Sequence, residues 1–482
     1  MKPLFLSLKK DVPADSYWDQ SFLKDILKSI EKYETDRQVV VIPGAYQGDI
    51  IPEINQYLAQ FDKVLVFVTS DEEGKFNCKH LVHKDIIHYC EYGNCDRFFP
   101  LGYTSNTRRL LKEEGFTPIS KKKIGFFFSG QTNTPLRTGI IESLQEGAKE
   151  DDLILGTNGF AQGLEQWNYY HAMAQAKGGI VLPGNISPDS FRFYEYLEAQ
   201  VITLGIHPLV QNFYTKYFGN EDFDSLWWMR KKAEIRRQVM KDLGIQEKLT
   251  VVVPTSYIPS HPSTEIIEET LSSIRYHTDA PILITIDELR PEYASKEDDY
   301  YGYIEKLLWK CNFEYENIVP FMMPKHTHQV GMMRKALEWI DTPYILYVEH
   351  DTPLVKRDID FAYLYSQMEN GYVNMVRFHY DVSIHESHQH MLVPEKNRSR
   401  LVATKQWSQR PHLALTDFYR FVMGLFSPHA NCFIEDFIHG KCQYDEFDNW
   451  KTFIYSPSTD IKFSYHLDGR AGNNKFDGIQ VW

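Results

Sequence analysis

The sequence of 482 residues lacks the features that mark membrane and secreted proteins. No stretch approaches the ~20 consecutive apolar residues of a membrane-spanning helix. Pro3, Lys9 and Lys10 interrupt the N-terminus before a signal-peptide core could form. Only six cysteines are present, which favours free thiols over a disulfide framework. We therefore expect a cytoplasmic protein with no membrane span.

An excess of positive charge is also missing, because the formal net charge is −13. Such a surface repels nucleic acid as a whole, so a duplex partner would need a local basic patch. A nucleic-acid partner is thus disfavoured but stays open. The composition is that of a globular protein, with 43% hydrophobic and 24% charged residues. The length predicts two or three domains.

The chain contains three blocks in which short apolar strands alternate with amphipathic helices, a pattern typical of parallel sheets. The predicted strands include RQVVVIPGAY and DKVLVFVTSD in the first block, KKKIGFFFSG, DLILGT and GGIVLPG in the second, and LTVVVPTSY, PILITIDEL and YILYVEHD in the third. A charged, helix-prone stretch, MRKKAEIRRQVMKDLGIQEK, precedes the third block. The pattern predicts an α/β protein with two Rossmann-like lobes, residues 1–118 and 119–242, and a further domain, residues 243–482.

Polar residues follow three strands of the third block: Thr255, Asp287, and the pair Glu349 and Asp351. Ligands of open α/β sheets bind beyond the carboxyl ends of the strands. Glu349 and Asp351 point to the same face of their strand, where two carboxylates repel each other unless a cation or proton lies between them. A divalent ion completed by substrate phosphates would remove that repulsion. A solvated turn after a core strand is the alternative.

The order of these motifs resembles the GT-A glycosyltransferases of the family-2-like type. The resemblance implies that Thr255 and Asp287 contact the nucleotide of a sugar donor. It also implies that VEHDTPL stands where those enzymes have the D-x-D motif that binds metal and diphosphate. Because Glu stands at the first position, we expect Asp351 to be the ligand of Mn²⁺ or Mg²⁺. Glu349 is expected to contact the sugar, a metal-bound water or the metal.

Two further segments extend this resemblance. NCFIEDFIHG is similar to the E-D motif of inverting GT-A enzymes, which makes Asp436, or its neighbour Glu435, the expected catalytic base. Acidic residues that stabilise a helix N-terminus are the alternative. FSYHLDGRAGNNK lies where many GT-A enzymes have a last metal ligand, which implies His466 in that role and Arg470 as a diphosphate contact.

The segment WSQRPHLALTDFYR lies between these motifs. Trp407 and His412 are expected to line the acceptor side of the site.

The second block resembles the donor-binding segment of exostosin-like GT-B glycosyltransferases. FFFSGQTNTPLR is similar to a strand, glycine turn and arginine of that family, which implies that Arg137 contacts phosphate. GNISPDSFRFYEYLEAQVITLG is similar to its loop and donor-binding helix, which implies that the donor site includes Ser187, Ser190, Arg192 and Glu195. A carboxylate there can hold the ribose hydroxyls, and backbone N–H groups at the helix start face the diphosphate. The Gly-Cys-Ile-Pro-Val turn of the family is replaced by AQVIT.

These resemblances imply a two-module glycosyltransferase that transfers sugars from nucleotide-sugar donors to a glycan acceptor, as in the synthesis of a surface polysaccharide or glycoconjugate. The C-terminal module is expected to be metal-dependent and inverting. The N-terminal module would be a metal-independent transferase or an inactive acceptor-binding relic. Two alternatives remain: a phage-type enzyme that glycosylates modified DNA bases, which an electrophoretic shift with duplex DNA would reveal, and a non-catalytic carbohydrate-binding or scaffolding protein on degenerate transferase folds.

Overall fold

A computed structural model describes residues 2–9, 15, 17–44, 47–71, 76–91, 97–159, 162–184, 187–204, 206–219, 221–259 and 262–467. Contacts within the chain divide it into two units, Met1–Gln246 and Glu247–Trp482. Of the helices within these ranges, none is long and apolar enough to cross a bilayer. The division of the first unit into domains at residues 118 and 119 stays a prediction.

The first unit begins with a sheet of five parallel strands in the order β1-β2-β3-β4-β5. All six residues of β3 are buried, as expected for a strand covered on both faces. The elements of this part are β1 (Leu4–Phe5), α1 (Ser21–Ile30), β2 (Gln38–Pro43), α2 (Ile51–Leu58), β3 (Val64–Thr69), β4 (Ile86–Cys90), β5 (Arg97–Phe98) and α3 (Thr107–Glu114).

A second parallel sheet follows in the same unit, with the strand order β7-β6-β8-β9. The chain order reverses beside β6, so the carboxyl end of β6 marks a place where ligands bind in such sheets. The elements are β6 (Ile124–Gln131), α4 (Pro135–Glu146), β7 (Leu153–Thr157), α5 (Gln166–Ala174), β8 (Ala176–Ile180), α6 (Phe191–Glu198), β9 (Ile202–Leu204), α7 (Pro208–Phe218) and α8 (Ser225–Asp242).

The helix α8 packs against α1 of its own unit. The indole of Trp228 lies 5.2 Å from the ring of Phe22 in α1, measured between ring centroids. Thr35 Oγ1 donates a hydrogen bond of 2.7 Å to the carbonyl of Leu243, just after the helix. The charged stretch that the sequence places before the third block is therefore a packed helix of the first unit.

The second unit contains a mixed sheet of eight strands in the order β12-β11-β10-β13-β16-β14-β17-β15. Its strands are β10 (Leu249–Thr255), β11 (Ile282–Ile286), β12 (Ile318–Met322), β13 (Tyr344–Tyr347), β14 (Met375–Arg377), β15 (Leu401–Ala403), β16 (His412–Leu415) and β17 (Thr452–Tyr455). The first four are parallel, and β16 runs antiparallel to both β13 and β14. The chain order reverses between β10 and β13, which predicts a ligand site at their carboxyl ends.

Helices cover this sheet: α9 (Glu265–His277), α10 (Glu297–Phe313), α11 (His328–Trp339), α12 (Phe361–Glu369), α13 (Thr416–Gly424), α14 (Ile434–Tyr444) and α15 (Phe447–Trp450). All seven residues of β10 are buried, in agreement with its mostly apolar sequence. The predicted mixed α/β architecture with parallel Rossmann-like sheets is confirmed.

The expectation that the cysteines are free thiols is wrong for Cys78, which is disulfide-bonded. Cys311, Cys432 and Cys442 are free thiols. Nothing in the spacing of the cysteines along the chain indicates this bond.

Candidate functional site

The strand ends of the second unit meet around one cavity of about 390 Å³. Thr255 is the last residue of β10, Asp287 follows β11, and Glu349 and Asp351 follow β13. All four line the cavity. The remaining wall comes from the loops after β10 and β11, the first turns of α11 and the residue before α14; its side chains include Ser256, Tyr257, Ile258, Pro259, Arg290, Tyr293, His328, Gln329, Met332 and Phe433. The structure thus brings together the residues predicted for a donor site.

Asp287 is the anchor of the first turn of α11. Its side chain is 1% exposed and accepts hydrogen bonds from the backbone N–H groups of Thr327, at 2.8 Å, and His328, at 3.0 Å. His326 Nδ1 lies 2.7 Å from Asp287 Oδ2. His328 has a φ of 52°, which is unfavourable for a residue with a side chain. Asp287 therefore stabilises a strained turn that presents the His328 ring to the cavity.

Thr255 is also buried, and its hydroxyl lies 3.0 Å from the hydroxyl of Tyr303 on α10. Both predicted nucleotide contacts, Thr255 and Asp287, thus have partners within the protein. The aromatic side chains of Tyr257 and Tyr293 line the same cavity and offer flat surfaces to a planar ligand. These tyrosines could not be predicted from the sequence, because nothing in their spacing distinguishes them from core aromatics.

The predicted metal ligands lie near the carboxyl end of β13. Asp351 is 3% exposed, and its Oδ2 lies 3.5 Å from His466 Nε2. The carboxylate of Glu349 accepts a hydrogen bond from the side-chain amide of Gln329. Within the described ranges no group of three or more His, Cys, Asp or Glu is arranged to hold a metal ion.

The chemistry of Asp351 and His466 nevertheless suits a divalent ion of a particular kind. Mg²⁺ and Mn²⁺ in phosphate-transfer sites often take only one or two carboxylates from the protein and complete their shell with water and substrate phosphates. One carboxylate beside one imidazole fits that requirement. Arg470, the predicted diphosphate contact, lies outside the described residues.

A second cavity of about 700 Å³ shares Gln329, Glu349 and Phe433 with the first. Glu435 and Asp436, in the first turn of α14, line it. Glu435 is half-buried, and its Oε2 accepts a hydrogen bond of 2.9 Å from the backbone N–H of Gln409. Asp436 is exposed to the cavity. The two predicted catalytic carboxylates therefore differ: one positions a loop, and the other faces open space.

The expected acceptor residues Trp407 and His412 lie in the protein core, and neither lines the second cavity. Both are 0% exposed. Trp407 Nε1 donates to Gln409 Oε1 at 2.7 Å. His412 stacks on the rings of both Tyr347 and Tyr419, and burial lowers its pKa to about 4. A solvent-excluded side chain cannot touch an acceptor, so these two assignments are wrong in position.

The wall of the second cavity contains basic residues that the sequence analysis did not select. Arg377, His379, Tyr380, His388 and Arg410 line it. Burial lowers the pKa of Arg377 to about 10 and that of His379 to about 3. Arg377 comes from β14 and Arg410 precedes β16, its antiparallel neighbour. Only the pairing of these strands brings the residues together, so no sequence motif could have revealed them.

The first unit contains a separate cavity of about 850 Å³ at the carboxyl ends of β6 and β7. Arg137, Ser190, Arg192 and Glu195 all line it, as the resemblance implied. Arg192 Nε donates to the carbonyl of Ser129 at 2.7 Å, which fixes the guanidinium beside the strand end. Ser187 does not line the cavity within the described residues; its hydroxyl accepts from the backbone N–H of Asp189 at 3.2 Å.

Glu195 is 4% exposed and is held by hydroxyl groups of the protein itself. Its Oε1 accepts hydrogen bonds from Thr104 at 2.6 Å and Tyr170 at 2.8 Å, and its Oε2 accepts from Tyr169 at 2.9 Å. Glu195 lines the cavity, and its role in donor binding stays a prediction. The sequence did not reveal these hydroxyl partners, which come from two distant segments.

The neighbouring Asp189 is also buried at the edge of this cavity. Burial raises its pKa to about 6, although it accepts hydrogen bonds from Tyr214, at 2.8 Å, and from the N–H groups of Leu101 and Ser190. Asp189 therefore joins the segment before α3 to the start of α6 and shapes the cavity between them.

Comparison with known proteins gives no family. A scan against protein-family models finds no match, and a search of curated proteins finds none. Among solved structures, the chain is similar to S. aureus TarS, at 12% identity and a TM-score of 0.31, over 46% of this chain and 36% of that one. It is also similar to residues 1–349 of TarS in complex with UDP-GlcNAc, at 12% identity and a TM-score of 0.30, over 45% of this chain and 58% of that one.

A UDP-glucose pyrophosphorylase complexed with UDP-glucose matches at 10% identity and a TM-score of 0.30, over 45% of this chain and 93% of that one. The chain thus spans about a third of the length of the full TarS chain.

Proposed function

We propose that the C-terminal unit is a glycosyltransferase that uses a nucleotide-sugar donor and a divalent ion. The observation that carries this proposal is the junction of two cavities at Glu349, Gln329 and Phe433. One cavity lies at the strand ends where nucleotides bind in α/β sheets, and the other presents an exposed carboxylate. A sugar held at the junction would face both a leaving diphosphate and an incoming acceptor.

In this proposal the first cavity holds the nucleotide. Tyr257 and Tyr293 would flank the base, and the strand ends at Thr255 and Asp287 would shape its floor. Asp351 and His466 would hold Mn²⁺ or Mg²⁺. When bound, the ion would neutralise charge on the diphosphate. Glu349, fixed by Gln329, would orient the sugar at the junction of the cavities.

Asp436 would act as the general base. It would take the proton from an acceptor hydroxyl while the oxygen of that hydroxyl forms a bond to the anomeric carbon and the bond to the diphosphate breaks, with the electron pair leaving on the diphosphate. Attack from the side opposite the leaving group inverts the anomeric centre. Glu435 is less suited to this role because the Gln409 N–H already occupies one of its oxygens.

We further propose that the cavity of the first unit binds a nucleotide diphosphate without metal. Arg192 and Arg137 supply positive charge there, and the start of α6 supplies backbone N–H groups. The hydroxyl partners of Glu195 would have to give way before that carboxylate could hold ribose. We therefore assign Glu195 to positioning Tyr169 and Tyr170.

A thermal-shift screen of the full chain tests the proposal. Nucleotide sugars with different bases and sugars are compared with and without Mn²⁺, and active donors are then incubated with glycan acceptors to detect release of nucleotide diphosphate. We expect at least one nucleotide to stabilise the protein in a Mn²⁺-dependent manner. If no nucleotide does so under either condition, a non-catalytic carbohydrate-binding protein becomes the better account.

A further inference from the structure

Arg377, at the end of β14, is a buried arginine without an ion-pair partner among the described residues. Its side chain is 2% exposed and lines the second cavity. One guanidinium nitrogen donates to the amide oxygen of Gln406 at 3.0 Å. Its Nε meets no hydrogen-bond acceptor in the part of the chain that the structure describes. Buried charges in proteins are normally paired, because an unpaired one is costly to remove from water.

The carboxylate with the largest effect on Arg377 is Glu435, which raises the pKa of the guanidinium and partly offsets the lowering of that pKa by burial. Glu435 does not neutralise Arg377 in an ion pair, and its Oε2 already accepts from the Gln409 backbone. With its pKa at about 10, Arg377 is still charged at neutral pH. The wall of the cavity therefore contains a positive charge that Gln406 holds in place.

A second arginine lies on the same wall. The guanidinium carbon of Arg410 lies 4.7 Å from the centre of the Tyr380 ring, so an aromatic face rather than a carboxylate holds it. His379, which is 3% exposed, lies beside Tyr380, with the two ring centroids 4.9 Å apart. His379 adds no charge at neutral pH, because its pKa is lowered to about 3. We call Arg377 and Arg410 the cationic wall.

The carboxylates that line the same cavity do not pair with these two arginines. Glu349 is bound to Gln329, and Glu435 to the Gln409 backbone. Asp436 is exposed on α14 and has the proposed role of base. None of the three forms an ion pair with either arginine of the cationic wall in the described structure. A neutral acceptor would leave Arg377 buried and uncompensated, whereas an anion would pair with it.

We propose that the acceptor of the C-terminal unit carries an anionic group, a carboxylate or a phosphate, that binds to the cationic wall through Arg377 and Arg410. This inference rests on the proposed function, since it assigns the substrate class of the second cavity. Guanidinium groups form charge-assisted, often paired hydrogen bonds with both kinds of anion. The anion would fix the acceptor so that a neighbouring hydroxyl faces Asp436.

Binding to the full chain in the presence of Mn²⁺ and a stabilising nucleotide tests the inference. One arm compares oligogalacturonate with the same oligosaccharide after reduction of its carboxyl groups. The other arm compares glucose 6-phosphate with glucose. We expect an anionic member of at least one pair to bind at least ~10-fold more tightly than its neutral match, since a hydrogen bond to a charged group is worth roughly that factor. The arm that shows the preference identifies the anion.

Three variants locate the effect. Arg410→Gln and Arg377→Gln should each remove most of the preference for the anionic compound and change binding of the neutral compound little. Arg398→Gln is the matched control, because this arginine also stacks on a tyrosine, Tyr372, but lines neither cavity. If Arg377→Gln fails to fold, Arg410→Gln alone decides, since its side chain is only half-buried.

The inference is wrong if neither anionic compound is preferred, or if the preference survives both Arg410→Gln and Arg377→Gln. Nucleotide binding is measured separately in the same samples. Nucleotide binding without any anion preference would overturn only this inference. An anion preference at the cationic wall without nucleotide binding would overturn the proposed donor site while leaving the anion site in place.

Discussion

Replacing Asp287 with alanine should destabilise the C-terminal unit, because this buried carboxylate fixes the first turn of α11. The change would leave the N–H groups of Thr327 and His328 without their acceptor, which now lies 2.8 and 3.0 Å away. Hydrogen bonds to a charged group are worth roughly 1.5–3 kcal/mol each, so we expect a loss of about 3–6 kcal/mol. The strained backbone at His328, with its φ of 52°, would then relax.

Thermal unfolding of the full chain and hydrogen exchange of α11 peptides measure this effect. For a unit of this size we expect the midpoint of its unfolding to fall by on the order of 10 °C. Exchange of the N–H groups at the start of α11 should accelerate. Glu292→Ala is the control. Glu292 is exposed, and its one ion pair, with Arg290, is long at 3.9 Å, so removing its side chain should change the free energy of unfolding by less than ~0.5 kcal/mol. Unchanged stability with lost nucleotide binding would refute the anchor role and make Asp287 a ligand contact.

Three further outcomes follow from the site. Asp436→Asn should lower turnover by ~10²–10⁴-fold with donor affinity nearly unchanged, whereas a loss of donor affinity at full turnover would assign Asp436 to binding. Nucleotide binding that persists in EDTA should weaken ~10-fold in Arg192→Gln. It should not weaken in Arg109→Gln, because Arg109 is exposed and lies outside the cavity. Equal affinities of the two variants would contradict the N-terminal site. Burial lowers the pKa of His412 from 6.5 to about 4, so the stability that neutral His412 contributes above pH 6.5 should be lost as the pH falls from there towards 4, by about 3 kcal/mol at most. Urea unfolding should show a smaller loss of stability over this pH range in His412→Gln. An identical loss in that variant would refute His412 as the cause.

The strands and helices that place the cavities could be predicted from the sequence because their signals are local. LTVVVPTSY and PILITIDEL form β10 and β11, and VGMMRKALEWI lies in α11. Parallel strands bring their carboxyl ends to one edge of a sheet, so the sequence alone predicts that Thr255, Asp287 and Asp351 lie together. All three line one cavity.

What the sequence could not predict depends on contacts between distant segments. Trp407 and His412 stand in a stretch rich in polar residues, yet aromatic rings from other segments pack against them and both are completely buried. Glu195 receives its hydroxyl partners from residues near 104 and 170, far away in the chain. Arg377 is the last residue of the short strand β14, and only its burial without a carboxylate partner marks it as a candidate ligand contact.

Calorimetric titration of the full chain with a nucleoside diphosphate, in Mn²⁺ and then in EDTA, tests the central claim most directly. The component of binding that requires Mn²⁺ reports on the C-terminal unit, because the proposed N-terminal site needs no metal. We predict that Asp351→Ala removes this component and that Asp358→Ala, an exposed aspartate on the same segment, retains it. A Mn²⁺-dependent component that is unchanged in Asp351→Ala, or absent from the unmodified protein, would contradict the account.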